Sequence, residues 1–190
     1  MQSHYIELIA IPQAEILASE TISHIMQSIH RVLPAYAGRL GLSFPHYRAG
    51  QSIGTALRIF GTEDDIRQIF YQLNALGLAD YAIIRQPESV PPHSQFACFS
   101  RVRPQSPTAS SIRRMQKRQE QQGKTPAEIE QAIANWQNKR QDNFIPFVRI
   151  QSASTGKTMP LHIHKQSKQQ ARNGEFNTYG LSQNATVPVF

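Results

Sequence analysis

Residues 5–85 alternate short β-type runs with two helical stretches, and the order of these elements limits the possible fold more than any other feature of the sequence. Branched and aromatic residues concentrate in four runs: 5–11, 40–44, 56–60 and 80–85. Apolar residues recur at helical spacing over 22–33 and again over 66–73. The sequence therefore predicts the order strand, helix, strand, strand, helix, strand.

Start and stop signals agree with these two helices. Pro34 ends the first helical stretch. Thr62 precedes the second as an N-cap, with Asp65 at the capping-box spacing, and Gly77 follows it as a stop. The resulting βαββαβ order is that of ferredoxin-like domains, which RNA-recognition modules also use. We predict an α+β protein whose first domain, residues 1–90, has this fold.

The second half of the chain has a different pattern. Prolines mark a linker between the halves, at Pro87, Pro91 and Pro92. Strands are predicted over 95–102, 145–150 and 161–164. A capping box at 125–128, with proline at the first helical position, starts a helix. We predict a second, α/β domain over 91–190.

A basic cluster lies in this second domain, on a helix predicted to begin near Ser110 or Ser111. The cluster consists of Arg113, Arg114, Lys117 and Arg118. On a helix these side chains cover an arc of about 140°, with Gln121 inside it. Charge stacked this closely repels itself, and a bound polyanion such as a nucleic-acid backbone relieves that repulsion. The alternative is a solvated surface helix.

The distribution of charge favours the polyanion. The chain has 190 residues and a formal net charge of +7. Residues 1–97 carry six Lys and Arg against eight Asp and Glu, whereas residues 98–190 carry 14 against five. This asymmetry predicts a neutral scaffold half and a polyanion-binding half. With Cys98 as the one cysteine and no long apolar run, we expect a soluble, cytoplasmic protein without disulfides, thiolate zinc or a membrane partner.

Several segments, taken in order along the chain, resemble one known family. They are GLSFP at 41–45, PFVR at 146–149 leading into SASTG at 152–156, and YGLS at 179–182. The chain is similar over essentially its whole length to the type I-F CRISPR-associated endoribonucleases, which process precursor CRISPR RNA. The resemblance implies a ferredoxin-like N-terminal domain and a C-terminal domain with an arginine-rich RNA-binding helix.

The resemblance also implies an activity. Members of this family hold the stem-loop of each CRISPR repeat and cut at its 3′ base without a metal or other cofactor. The ribose 2′-hydroxyl attacks the adjacent phosphate and leaves a 2′,3′-cyclic phosphate. The enzyme then stays bound as a subunit of the type I-F interference complex. The family's catalytic residues match His30, Ser152 and Tyr179, and a second serine near the site matches Ser154.

These residue types suit the implied chemistry. A 2′-hydroxyl is a poor nucleophile until a base takes its proton, and imidazole is well matched to that task near neutral pH. A hydroxyl such as that of Ser152 can act by orienting the reacting ribose. His24 lies on the same predicted helix as His30 and stays open as a second candidate base. His162 and His164 share one strand face, which a solvated pair beside RNA explains better than a metal site.

The resemblance further assigns residues that read the RNA. An arginine in the linker that contacts base edges matches Arg101, and its partner, a glutamine in the family, is Arg103 here. Arginine forks onto guanine, so this difference predicts another base pair at that position or a phosphate contact. The family stacks an aromatic ring on the closing base pair, where this chain has Met159. A thioether covers a base more weakly than a ring does.

Three other functions stay open at this point. The first is a hairpin-binding subunit that anchors a guide RNA without cutting it. The second is a metal-dependent nuclease. The evidence for it is the acidic pair Asp64 and Asp65, but a position in the first turn of a helix explains that pair better. The third is a general basic nucleic-acid-binding protein without preference for hairpins.

Overall fold

The computed structural model describes residues 2–92, 95–104, 109–141, 144–152 and 156–190, with the backbone alone for 137–141. It is a mixed α+β structure with two antiparallel sheets, which confirms the predicted class. The chain divides into two compact units, of which the first is Met1–Val102 with Ile145–Phe190 and the second is Arg103–Phe144. Both sheets belong to the first unit. The predicted domain boundary near residue 90 falls between the last strand of the first sheet and the first strand of the second, and it stays a prediction.

The first sheet and its two helices come from the first 89 residues. In chain order the elements are β1 (His4–Ala10), α1 (Ala18–Val32), β2 (Gly41–Ser43), β3 (Ala56–Gly61), α2 (Glu63–Ala75), β4 (Ala82–Ile84) and β5 (Glu88–Ser89). The strands lie in the order β2-β3-β1-β4, and Leu8 at the centre of β1 is opposite Leu57 and Ile84. Helix α2 begins as predicted, because the Thr62 hydroxyl accepts from the Asp65 amide.

Strand β5 was not predicted. The sequence assigned its residues to the proline-marked linker, but they pair with the start of β1, with His4 opposite Ser89 and Tyr5 opposite Glu88. The Tyr5 hydroxyl donates to the Glu88 carboxylate at 2.8 Å, which adds a side-chain contact to a pairing of two residues. A strand of two residues is too short to show an alternating pattern in the sequence. Its pairing with β1 depends on residues more than 80 positions away, which no local signal reports.

The second sheet has the order β7-β8-β6-β9. Its strands are β6 (Gln95–Val102), β7 (Phe147–Gln151), β8 (Thr158–Lys168) and β9 (Val187–Val189). Strand β8 is longer than the predicted 161–164, and β9 was missed. Pro188 obscured β9, because proline is compatible with a strand only at an edge, and β9 is an edge strand here.

Helix α1 connects the two sheets through one core. Its residues Ile22, Ile25 and Ile29 are fully buried in a cluster that contains side chains from both sheets, such as Ile59 of β3 and Ile150 of β7. Burying each such side chain contributes about 1.5–3 kcal/mol, so α1 is held firmly against both sheets. It also packs beside β7, the outer strand of the second sheet.

The second unit contains α3 (Ala109–Gln121) and α4 (Pro126–Gln141), which pack on each other. Helix α3 is the predicted basic helix and begins one residue before Ser110. The predicted capping box of α4 is confirmed, because Glu128 accepts from the Thr125 amide and hydroxyl at 2.8 Å. Within the described part of the chain, none of the helices is long and apolar enough to cross a membrane.

Candidate active site

His30 lies in the last turn of α1, half-buried at the edge of the apolar stripe. Its Nδ1 atom is 2.8 Å from the carbonyl oxygen of Thr178. A carbonyl oxygen can only accept a hydrogen bond, so Nδ1 must carry the proton. In the neutral ring the other nitrogen, Nε2, is then unprotonated and can accept a proton from a substrate.

Tyr179 fixes the plane of this imidazole. The two rings are stacked, with centroids 4.2 Å apart and planes 18° apart. The segment that carries Tyr179 is held by Asn177, whose side-chain oxygen accepts from the amides of Tyr179 at 2.9 Å and Leu181 at 3.2 Å. His30 is therefore positioned by a hydrogen bond to one residue and by ring stacking on the next.

Glycine is required at position 180, directly after the stacked tyrosine. Gly180 has a φ of +70°, and a Cβ atom there would lie 2.4 Å from a carbon of the Leu42 side chain. Its carbonyl oxygen accepts from the Leu42 amide at 2.8 Å. The YGLS segment thus packs directly on β2, which forms the first three residues of the GLSFP segment.

Ser152 directly follows β7 and is bonded to two residues that precede β8. Its amide donates to the Lys157 carbonyl at 2.9 Å, and its own carbonyl accepts from the Gly156 amide at 2.8 Å. Both backbone groups of Ser152 are therefore fixed. Ser154, the second serine assigned by resemblance, lies outside the described residues.

Helix α1 brings Ser152 and His30 to the same end of the helix. Ser23 of α1 accepts from the Arg149 amide at 2.9 Å, and Gln27 accepts from the Gln151 amide at 2.7 Å. Ser152 is the next residue of the strand, and His30 lies about 4.5 Å further along the helix axis than Gln27. The predicted base and the predicted serine therefore border the same end of α1.

Arg101 stands beside this group. Its guanidinium carbon is 5.6 Å from the centroid of the Tyr179 ring, within the range of a cation–π contact. The Arg101 carbonyl accepts from the side chain of Gln183 at 3.0 Å. Arg103 is exposed and belongs to the second unit. Met159 is half-buried in β8, opposite Ile150 of β7.

The basic cluster is fully presented to solvent on α3. Arg113, Arg114, Lys117 and Arg118 are all exposed, as is Gln121 within their arc. None of the residues of α3 is buried. The helix is thus a charged surface suited to phosphate contacts.

Two of the other histidines noted in the sequence, His24 and His162, have structural partners. His24 is exposed, and its ring lies 4.2 Å from the ring of Tyr81. His162 bonds through Nδ1 to the Ile145 carbonyl at 3.1 Å. Among the described residues no group of three His, Cys, Asp or Glu side chains could hold a metal ion.

Asp65, one of the two acidic residues considered for a metal, is bound to Arg39. The guanidinium contacts both carboxylate oxygens, at 2.9 and 3.1 Å. This hydrogen bonding, together with the bond from Thr62, holds the pKa of the Asp65 carboxyl below its usual value. Asp65 therefore has a structural role in α2, which is the explanation that the sequence favoured.

Sequence reasoning missed two residues of this site. Thr178 contributes only its backbone carbonyl, which no side-chain pattern can reveal. Gln27 lies on the same face of α1 as His30, but its partner is a strand more than 120 residues later. The helical spacing of Gln27 and His30 was the one available signal.

The chain belongs to the Cas_Csy4 family of CRISPR-associated proteins, whose model matches residues 5–190. The CRISPR-associated endonuclease Cas6/Csy4 of Pseudomonas aeruginosa (strain UCBPP-PA14) is 30% identical over 195 residues, which cover 98% of this chain and 99% of that protein. The protein of the same name from Escherichia coli (strain UTI89 / UPEC) is 29% identical over 189 residues, with the same coverage. These relatives confirm the predicted family and the prediction of an enzyme.

A solved structure was also found among more distant proteins. It is described as an RAMP protein binding different RNA substrates and covers 98% of this chain at 10% identity. Its TM-score is 0.37, which is too low to support an argument about fold or function.

Proposed function

We propose that this protein is a metal-independent endoribonuclease that binds the stem-loop of a CRISPR repeat RNA and cuts at the 3′ base of the stem. The observation that carries the proposal is the bond from His30 Nδ1 to the Thr178 carbonyl at 2.8 Å. It leaves Nε2 as the proton acceptor, which is the form that a general base requires. The endonuclease names of the curated relatives support the same activity.

The reaction then follows from the ribose. His30 takes the proton of the 2′-hydroxyl, and the oxygen attacks the adjacent phosphorus. The bond from phosphorus to the 5′-oxygen breaks, and that oxygen takes a proton from solvent. The products carry a 2′,3′-cyclic phosphate and a 5′-hydroxyl. A positioned general base contributes about 10²–10⁴-fold to the rate of such a step.

The remaining residues of the site orient this reaction. Ser152 is proposed to hold the 2′-hydroxyl in line with the leaving oxygen, with Ser154 as a secondary contact. Tyr179 holds the imidazole plane by stacking. No cofactor is needed for any of these steps, because the nucleophile belongs to the RNA itself.

Binding is proposed to come mainly from other residues. The cations of α3 contact phosphates, and Arg101 and Arg103 read base edges or phosphates at the stem. Met159 is proposed to cover the closing base pair. The first sheet, with strand order β2-β3-β1-β4 and with α1 and α2 as its connecting helices, supports the assignment of a ferredoxin-like domain over 1–90. We propose further that the protein is cytoplasmic. After cleavage it would stay bound to the mature CRISPR RNA and act as a subunit of a type I-F interference complex.

The test is a cleavage assay in EDTA on RNA that carries the repeat hairpin of the protein's own CRISPR array. Wild-type protein should give one cut with a cyclic phosphate on the 5′ fragment. The same RNA with a single 2′-deoxynucleotide before the cut should bind equally and stay intact. Tight binding without cutting of the all-ribose RNA would overturn the proposal in favour of a guide-anchoring subunit. Cutting of the deoxy substrate, or cutting lost in EDTA, would favour a metal-dependent nuclease instead.

A further inference from the structure

The side chain of Gln27 pairs with the backbone of Gln151 in both directions. Gln27 Oε1 accepts from the Gln151 amide at 2.7 Å, and Gln27 Nε2 approaches the Gln151 carbonyl at 3.4 Å. The short bond to the amide is the stronger of the two. A side-chain amide here takes the place of a neighbouring strand.

This pairing lies on the edge of the second sheet, where α1 packs beside β7. Strand β7 is the outer strand of the second sheet, and the amides of Arg149 and Gln151 donate to side chains of α1. Edge amides left without partners are costly when they are shielded from water. Ser23 satisfies the first and Gln27 the second, so Gln27 is the contact of α1 that lies nearer to Ser152.

Further hydrogen bonds link Gln151, the partner of Gln27, to Ser152 through Gly156. The Gln151 side chain donates from Nε2 to the Gly156 carbonyl at 3.0 Å. The Gly156 amide in turn donates to the Ser152 carbonyl at 2.8 Å. Gln151 is therefore held by α1 through its backbone, and its side chain holds Gly156, which bonds to Ser152.

We propose that Gln27 is a positioning residue that sets the location of Ser152 relative to His30. The inference rests on the proposed cleavage function. Gln27 and His30 are one turn apart on a helix whose core face is fully buried, so their separation is fixed. The bond to Gln151 transfers that fixed reference to the strand that ends at Ser152. A displacement of about 1 Å at such a site can lower a reaction rate about 10²-fold.

The experiment compares Gln27→Met with Ser23→Ala in the full chain. Methionine keeps the length of the side chain and removes both hydrogen bonds, whereas Ser23→Ala removes a helix-to-strand bond of the same kind further from Ser152. The measurements are the single-turnover rate at saturating protein on the repeat hairpin, the Kd for the 2′-deoxy hairpin, and amide hydrogen exchange at Gln151 by NMR.

We expect Gln27→Met to lower the rate about 10- to 100-fold with an unchanged Kd and faster exchange at Gln151. Ser23→Ala should change the rate less than about threefold, because Gln151 keeps its partner. Faster exchange with an unchanged rate would overturn the inference and leave the proposed function intact. Equal loss in both variants would also overturn it, because general loosening of α1 against β7 would then explain the effect. If the wild type does not cut the hairpin, the proposed function fails and this inference fails with it.

Discussion

Helices α1 and α3 differ in how they are packed and in what they present to solvent. Helix α1 buries six of its residues, lies in the core shared by two sheets and carries His30 at its last turn. Helix α3 buries none of its residues and carries four exposed cations. The first helix is fixed by packing on its surroundings, whereas the second presents charge to solvent.

The difference matches the roles proposed for the two helices, which are catalysis for α1 and phosphate binding for α3. In-line attack at a phosphate depends on geometry, so a catalytic imidazole gains from a helix that cannot shift. Phosphate binding depends mostly on the number of cations and on salt, so its supporting helix needs less fixed surroundings. We therefore expect changes in α1 to alter the cleavage rate and changes in α3 to alter affinity.

The largest effect should come from His30→Ala. Removing the general base should lower the single-turnover rate about 10²–10⁴-fold and leave the Kd for the repeat hairpin unchanged. His24→Ala is the matched control on the same helix, and it should keep at least a third of the wild-type rate, because His24 is exposed and contacts Tyr81. A larger loss in His24→Ala than in His30→Ala would place the base at His24.

The next effect should come from replacing the four cations of α3 by alanine. Each lost phosphate contact lowers the slope of log K against log salt by about 1, so the four together should weaken binding about 10²- to 10³-fold near 0.15 M salt. The rate at saturating protein should stay close to that of the wild type. Arg67→Ala, an exposed arginine of α2 paired with Glu63, serves as the control. An unchanged salt slope in the fourfold variant would show that α3 is an ordinary solvated helix.

Tyr179 should give a smaller effect that depends on the ring and not on the hydroxyl. The stacking distance of 4.2 Å involves the ring face, so Tyr179→Phe should retain most of the cleavage rate. Tyr179→Ala removes the face that holds His30 and should lower the rate about tenfold. The comparison is made on single-turnover rates at pH 7. Equal losses in the two variants would assign the role to the hydroxyl.

The smallest effect concerns stability and should leave RNA binding unchanged. Asp65→Asn should lower the free energy of unfolding by about 1–2 kcal/mol at pH 7, a figure reduced because Arg39 is largely solvated. Because Arg39 lowers the pKa of Asp65 in the folded state, this contribution is complete above the usual pKa of 3.8. It is lost as the pH falls through the lowered pKa.

The free energies of unfolding of the wild type and of Asp65→Asn, measured by urea titration from pH 7 down to pH 2, should therefore converge at the lowest pH. Asp64→Asn, on the exposed side of the same turn, should stay within about 0.5 kcal/mol of the wild type at every pH. A difference for Asp65→Asn that stays constant down to pH 2 would show that its charge is not the cause.

The same comparison shows what the sequence could predict. Local signals located α1 by its apolar stripe, α2 by the Thr62 cap and α4 by the box at Thr125, because each depends on residues within a few positions. The basic face of α3 was equally predictable from spacing alone. Strands β5 and β9 were not, because pairing with distant strands decides them.

The candidate site shows the same limit. His30, Ser152 and Tyr179 could be named by resemblance, and the structure adds how His30 and Tyr179 contact each other. The Thr178 carbonyl and the bond from Gln27 to Gln151 join segments more than 120 residues apart. Such contacts arise only when segments distant in the sequence pack on one helix, which no local pattern encodes.

The most direct test of the claim that α1 determines the cleavage rate and α3 the affinity is a double-mutant cycle. It compares the wild type with His30→Ala, the fourfold α3 variant and their combination. Kd and the single-turnover rate at saturation are measured for each protein on the same hairpin. Effects of independent sites add within about 0.5 kcal/mol, so the combination should show the rate of His30→Ala and the Kd of the α3 variant. A saturating rate that falls in the α3 variant as far as in His30→Ala would contradict the account.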